Sequence, residues 1–391
     1  MKLFRCEIAA QGFGSKVRKR IPVLAARGHF RVLCELVATI ALLLFVTVAR
    51  SQNYTVLDLG TLGGPHSVAT GINSSGAIVG FSDTVLPGIQ HAFLYSGGTI
   101  TDLGTLGGST SYAWAINVNG QITGYSDLSG NALHHAFIFQ SGAMHDLVPN
   151  STTSSEGMAI NASGQVGGTV YRTSNNTDLR DVFLYSGGTM YNLGTIGGRN
   201  STGTSINNSG VVGGSSDDAS NNSDHAVISD NSTTPPSLID LGVIGAIIAA
   251  GPSNTWVGYS EHHAFSYQNG VTTILGSGAA NAINSSGVIV GTSGDAIPGG
   301  ESIITDPTFH AWIYRNGTMT DLNSLVVLNG ITLTDALGIN DSGEIIAEGS
   351  NGHAYALSPT SVPEPPAFAI LLGAAPFIVG IIRRKKMLSS R

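Results

Sequence analysis

Gly71-Ile72-Asn73-Ser74-Ser75-Gly76-Ala77-Ile78-Val79-Gly80 is followed, after a variable insert, by His91-Ala92-Phe93-Leu94-Tyr95-Ser96-Gly97-Gly98-Thr99-Ile100-Thr101-Asp102-Leu103-Gly104. The unit returns along the chain. Its clearest register is His-Ala-aromatic: His91-Ala92-Phe93, His135-Ala136-Phe137, Asp181-Val182-Phe183, His225-Ala226-Val227, His263-Ala264-Phe265, His310-Ala311-Trp312 and His353-Ala354-Tyr355. The spacings are 44, 46, 44, 38, 47 and 43 residues, which makes seven copies.

Within the first copy, four short pieces read as strands: Val68–Asn73, Ala77–Ser82, His91–Tyr95 and Thr99–Gly104. They are rich in β-branched and aromatic residues and bounded by turn residues. The first turn recurs as Asn117…Gly120, Asn161…Gly164, Asn207…Gly210, Asn284…Gly287 and Asn340…Gly343. Asn bonds its own backbone two residues on, and Gly accepts the positive φ that closes the hairpin. The fifth copy, near Ala246–Val257, lacks this turn.

Four strands repeated at this period predict an all-β chain, a seven-bladed β-propeller of four-stranded blades, with a β-solenoid as the alternative. The ends favour a ring. The seventh copy, Ala336–Leu357, has only three strands, while Tyr54–Leu59 ahead of the first copy matches Thr99–Leu103. Such a strand completing the last blade leaves no unpaired end between the termini.

Composition divides the chain into residues 1–51, 52–360 and 361–391. Between Asp58 and Glu348 lie 22 acidic residues against four arginines and no lysine, a net charge of −18. Nucleic acid is excluded as a partner on that ground, because phosphate contacts need Lys and Arg. The N-terminus carries a basic stretch and then an apolar run, Leu36 to Ala49. This run of fourteen residues, all apolar except Thr39 and Thr47, is short for a span and suits a signal peptide; Ala49 and Ser51 place cleavage before Gln52, with an uncleaved anchor as the alternative. Both cysteines, Cys6 and Cys34, fall in this leader, so the exported part would carry no thiol chemistry.

At the other end Val362-Pro363-Glu364-Pro365 precedes the apolar run Ala367–Ile382 and the basic stop Arg383-Arg384-Lys385-Lys386. This three-part tail resembles the PEP-CTERM sorting signal of bacterial surface proteins. The resemblance implies transient membrane anchoring by a short transmembrane helix and processing by exosortase-type machinery. A plain C-terminal anchor is the alternative. The repeated unit Asp-Leu-Gly-Thr-Leu-Gly-Gly…Gly-Ile-Asn-x-x-Gly-x-Ile-Val-Gly…His-Ala-Phe resembles the HAF-repeat extracellular proteins over nearly all of 52–359. That resemblance implies an extracellular or cell-surface repeat protein and no particular reaction. Asp181 departs from its histidine, and the fifth copy is eroded.

No catalytic, cofactor-binding or metal-binding residue stands out. A residue repeated once per blade is spread on a ring, too wide to converge on one ion with bonds near 2 Å, so the histidine/Asp181 position is expected to bond within its own blade. The doublets His134-His135 and His262-His263 send neighbouring side chains to opposite faces of a strand. Asp58–Gly64, Asp102–Gly108 and Asn192–Gly198 lack the Lys-Ser/Thr of a phosphate loop and read as inter-blade links. Acidic loops such as Asp217–Asp224 offer oxygens for calcium, without the spacing of a known calcium loop.

A four-stranded meander places its second connection and the inter-blade link on one face. The second connections vary most: Asp83–Gln90, Asp127–His134, Tyr171–Arg180, Asp217–Asp224, Gly294–Phe309, and barely a residue at Glu261. Variable loops on a rigid frame are where function concentrates. The reading is a non-enzymatic binding or adhesion module for exopolysaccharide or surface partners; the alternative is a propeller-fold glycan hydrolase or lyase.

Overall fold

The computed structural model describes residues 54–174, 177–221, 223–233, 236–293 and 308–360. The signal-peptide and cleavage reading (Ala49, Ser51), the sorting motif Val362–Pro365 and the basic stop Arg383–Lys386 lie outside these residues. Among those described there is no α-helix, only two short 3₁₀ turns at Pro252–Asn254 and Leu322–Ser324. No helix there is long and apolar enough to cross a membrane.

Seven four-stranded antiparallel sheets form the chain, which is a seven-bladed β-propeller. The first blade is Gly63–Ile72, Ile78–Thr84, Gln90–Ser96 and Thr99–Asp102, each strand hydrogen-bonded to the next. Six blades follow that sequential order. The seventh pairs Leu333–Ile339, Ile345–Gly349 and Ala354–Pro359 with the strand Tyr54–Asp58 from the other end of the chain. The register runs from Tyr54 opposite Pro359 to Asp58 opposite Tyr355.

The core lies between blades, and alternation in His-Ala-aromatic explains it. Neighbouring side chains on a strand face opposite ways. The alanine therefore faces the next blade and the aromatic residue faces the preceding one. Phe93 packs with Ala354, Phe137 with Ala92, Phe183 with Ala136, Phe265 with Ala226, Trp312 with Ala264 and Tyr355 with Ala311. Each pair is a large residue seated over a small one. In the third blade Val182 takes the alanine position, and in the fourth Val227 takes the aromatic one.

Two glycine positions are dictated by close approach. In the second strand, a Cβ at Gly80, Gly124, Gly168, Gly214, Gly258 or Gly291 would meet the carbonyl oxygen of Val68, Tyr112, Glu156, Thr202, Ala246 or Ala279. A register shift follows in each first strand, such as that between Ala69 and Gly71. The Leu-Gly-Gly links are partly strand, where the sequence suggested a link only. The first strands of blades one and two begin at Gly63 and Gly107, and Leu62 and Leu106 make isolated bridges to Thr84 and Leu128. Gly63 has φ +106°, and a Cβ at Gly64 would overlap Asp83, so the chain crosses the end of the second strand only with glycines there.

Candidate functional site

Five of the six signature histidines bond inside their own blades; His263 of the fifth blade is the exception. His91 Nδ1 lies 2.8 Å from Asp102 Oδ2, His135 Nδ1 2.8 Å from Asp146 Oδ2, His225 Nδ1 2.9 Å from Asp240 Oδ2 and His310 Nδ1 2.8 Å from Asp321 Oδ2. Each aspartate also accepts a backbone N–H two residues on, from Gly104, Val148, Gly242 and Asn323. The carboxylate thus fixes both the third strand and the turn leaving the fourth. These histidines are structural brackets, and no three of them converge. The aspartate partner was missed in the sequence, although Asp102, Asp146 and Asp321 each follow their histidine by 11 residues.

The third blade solves the same problem with other residues. Asp181 takes the histidine position and Asn192 the aspartate position, and Asn192 Nδ2 donates to Asp181 Oδ2 at 2.9 Å. Arg172 Nε donates to the same oxygen at 2.7 Å, and its Nη2 donates to the Arg199 carbonyl. Arg172 is thereby tied to Asp181, while Arg180, paired with Tyr171 across the same two strands, is exposed. In the fifth blade Ile274 stands opposite Phe265, where the other blades carry the acid or amide.

The first-turn face is uniform. The Asn73 side-chain oxygen accepts from the N–H groups of Ser75 and Ala77, and its Nδ2 donates to the carbonyl of Asn117, 44 residues on. Asn117 donates to the Asn161 carbonyl, Asn161 to Asn207, Asn284 to Asn340, and Asn340 back to Asn73. Six asparagines thus link the blades around the channel mouth, a cavity of about 400 Å³ to which all seven blades contribute. Only the fifth blade, with Gly251 at the Asn position, interrupts the circuit; Asn207 there donates to the Asn254 side chain at 3.2 Å.

The opposite face is where the blades differ. His66 Nδ1 lies 2.8 Å from Asp83 Oδ2, and Gln90 Nε2 donates to Asp83 Oδ1 at 2.8 Å. The Tyr112 hydroxyl donates to Gln90 Oε1 at 2.7 Å, and the Tyr112 ring stacks on Tyr125 with centroids 4.8 Å apart. Tyr125 meets the His134 ring at 4.9 Å. His134 Nε2 is 3.2 Å from Glu156 Oε1, and the Tyr171 hydroxyl donates to that oxygen at 2.7 Å. Side chains of three blades thereby form one continuous polar and aromatic row. It occupies the ends of strands from which the second connections leave.

Register positions show that the row does not repeat. Opposite pairs at this level are Val68/Phe81, Tyr112/Tyr125 and Glu156/Thr169 in blades one to three. They are Thr202/Ser215, Ala246/Tyr259, Ala279/Thr292 and Asp335/Glu348 in the rest. Tyr112 and Tyr125 are buried and form the floor, while Glu156 and His134 keep 20% and 27% of their side chains exposed. His134, off the repeat register, belongs to this row; its neighbour His135 is a buried bracket.

Asp217 and Asp224 face each other across the fourth blade's second connection. Burial, then a hydrogen bond to Asp217 and its charge, push the Asp224 carboxyl up to about 6, against the pull of Arg180 and His225. Asp218, in the same loop, accepts from Ser220 and Ser223. No cluster of three His, Cys, Asp or Glu side chains with metal-binding geometry occurs among the described residues.

No family model matches the chain. No curated protein matches it either. Among solved structures, Sqt1 from Chaetomium thermophilum is similar over 78% of this chain and 100% of its own, at 13% identity and a TM-score of 0.34. The propeller is read from this chain's own sheets.

Proposed function

We propose that the chain is an exported, non-enzymatic surface or matrix protein that holds exopolysaccharide or a surface partner through the face carrying its second connections. The observation that supports this reading is the asymmetry of the two faces. One end repeats an asparagine circuit in six of seven blades. The other gathers non-repeating Gln90, His134, Glu156 and Tyr171 beside connections of different lengths. A rigid uniform frame with divergent groups at one end suits recognition. Export and processing remain part of the proposal, resting on the HAF-like repeat and the PEP-CTERM-like tail.

The direct test is a polysaccharide and glycan array probed with the full chain, including the producing cell's own polymer. Binding to at least one class is expected; binding to none contradicts the proposal. Mass measurement of surface-released protein checks the address, with chains starting at Gln52 and lacking the basic stop expected.

One observation favours the hydrolase or lyase reading: a phenol and an imidazole share one carboxylate oxygen at Glu156. Those groups are general acids and bases by type. Arg172, however, is held by Asp181 and the Arg199 carbonyl. Polymer cleavage abolished by Glu156→Gln would favour the enzyme; stable bound polymer favours the binding module.

A further inference from the structure

The row from His66 to Tyr171 has the composition of a ligand contact and a charge setting that narrows the ligand. It alternates acceptors and donors: Asp83 and Glu156 carboxylates, the Gln90 amide, the His66 and His134 rings and the Tyr171 hydroxyl. Sites for hydroxyl-rich ligands combine flat, partly apolar rings with a few fixed polar groups of this kind. The polar atoms are pre-positioned, since each is held by a neighbour in the row, and little ordering is left for binding to impose. Blades four to six have Thr, Ser, Ala and a single Tyr259 at the matching register positions, so the feature belongs to one sector of the ring.

The net −18 between Asp58 and Glu348 then acts on ligand choice. A polymer rich in uronate or sulfate would meet like charge over the whole body, which lowers both its encounter rate and its affinity. We infer that blades one to three bind a neutral polysaccharide across the Gln90–His134–Glu156–Tyr171 row. This rests on the proposed binding role of the same face and adds its location and ligand charge.

The test uses the full chain and three purified probes at one ionic strength: a neutral glucan, a uronate polymer and an amine-bearing polymer. Glu156→Gln and Tyr171→Phe keep side-chain volume, and Asp217→Asn alters the corresponding strand end of the fourth blade. Melting temperature is read on each sample. The expected result is that the glucan binds best, that each row variant weakens it by about tenfold or more, and that Asp217→Asn changes it less than about twofold. Should a row variant lose its fold, His66→Ala at the exposed end of the row takes its place with the same expectation. Glucan affinity unchanged in the row variants, or either charged polymer binding best, overturns the inference while leaving a binding role intact. Binding to none of the probes and to nothing on the array contradicts both.

Discussion

His353 Nδ1 lies 2.9 Å from Asp58 Oδ2, a pair whose members are 295 positions apart in the chain. It is the same bracket that His91 makes with Asp102 only 11 residues away. Asp58 also accepts the Gly60 N–H at 2.8 Å, as Asp102 accepts that of Gly104. A local device of the other blades has become the clasp between the ends. Asp58→Ala is expected to lower stability by about 1 kcal/mol, because the pair is partly exposed. Asp102→Ala should cost as much. Paired urea titrations check this; a negligible effect of Asp58→Ala beside a clear one of Asp102→Ala would mean the terminal strand frays freely.

Arg172 compensates for the missing histidine of the third blade. Asp181 is nearly buried, so removing its cation leaves a carboxylate poorly solvated. Arg172→Ala should cost about 2–3 kcal/mol, below the full figure for a buried pair because the arginine is partly exposed and Asn192 stays. Adding Asp181→His and Asn192→Asp restores the bracket used elsewhere. Thermal unfolding of the single and triple variants should show loss and then recovery.

The asparagine circuit predicts a stabilising change at its gap. Gly251 makes the same backbone bond, to Thr255, that Asn73 makes to Ala77, and Asn254 holds the positive φ that Gly76 holds. Gly251→Asn with Pro252→Ser and Asn254→Gly gives the fifth blade the common turn. A Cβ at position 251 would lie 2.9 Å from both Cδ1 and Cγ2 of Ile283, so this β-branched side chain must shift to admit it. A gain of about 1 kcal/mol is expected by calorimetry. Asn117→Ala, which removes the one oxygen that accepts two turn N–H groups and the link to Asn161, should cost about 2–3 kcal/mol.

Asp335 makes stability depend on pH. Burial pushes its carboxyl from 3.8 up to about 7, against hydrogen bonds from Asn281 and the Ala336 backbone. Between about pH 4 and 7 the folded chain keeps a proton that the unfolded chain has released, so stability falls as pH rises through that window. Asp224, raised to about 6, adds to the fall over its lower part. Asp335→Asn should remove much of the slope and be more stable than the parent above pH 7. Urea midpoints between pH 4 and 8 provide the check.

Much of the fold was legible because its signals are local and repeated. The seven His-Ala-aromatic triplets set the blade count, and the likeness of Tyr54–Leu59 to Thr99–Leu103 marked the closing strand. The histidines were readable as structural because they agree between copies. Their aspartates were legible too, in Asp102, Asp146, Asp240 and Asp321, but only if strands three and four were aligned as a pair. The asparagine circuit was hidden, since each side chain donates to the blade that follows. Asn73 looked like a turn residue alone. The row on the opposite face was least visible. Gln90 and His134, like Tyr112 and Glu156, stand 44 residues apart at matching repeat positions, but the residue type changes from copy to copy, and only the closeness of three blades shows that they form one row.

Native-state hydrogen exchange on the full chain with residues 52–60 deleted tests the closed ring most directly. That deletion removes the outer strand of the seventh blade and two buried side chains, Tyr54 and Leu59, each worth about 2–4 kcal/mol. In a closed ring every blade is packed on both sides, so amides in all seven blades should lose protection together. Loss confined to Leu333–Pro359, with the remaining blades protected as before, would contradict it.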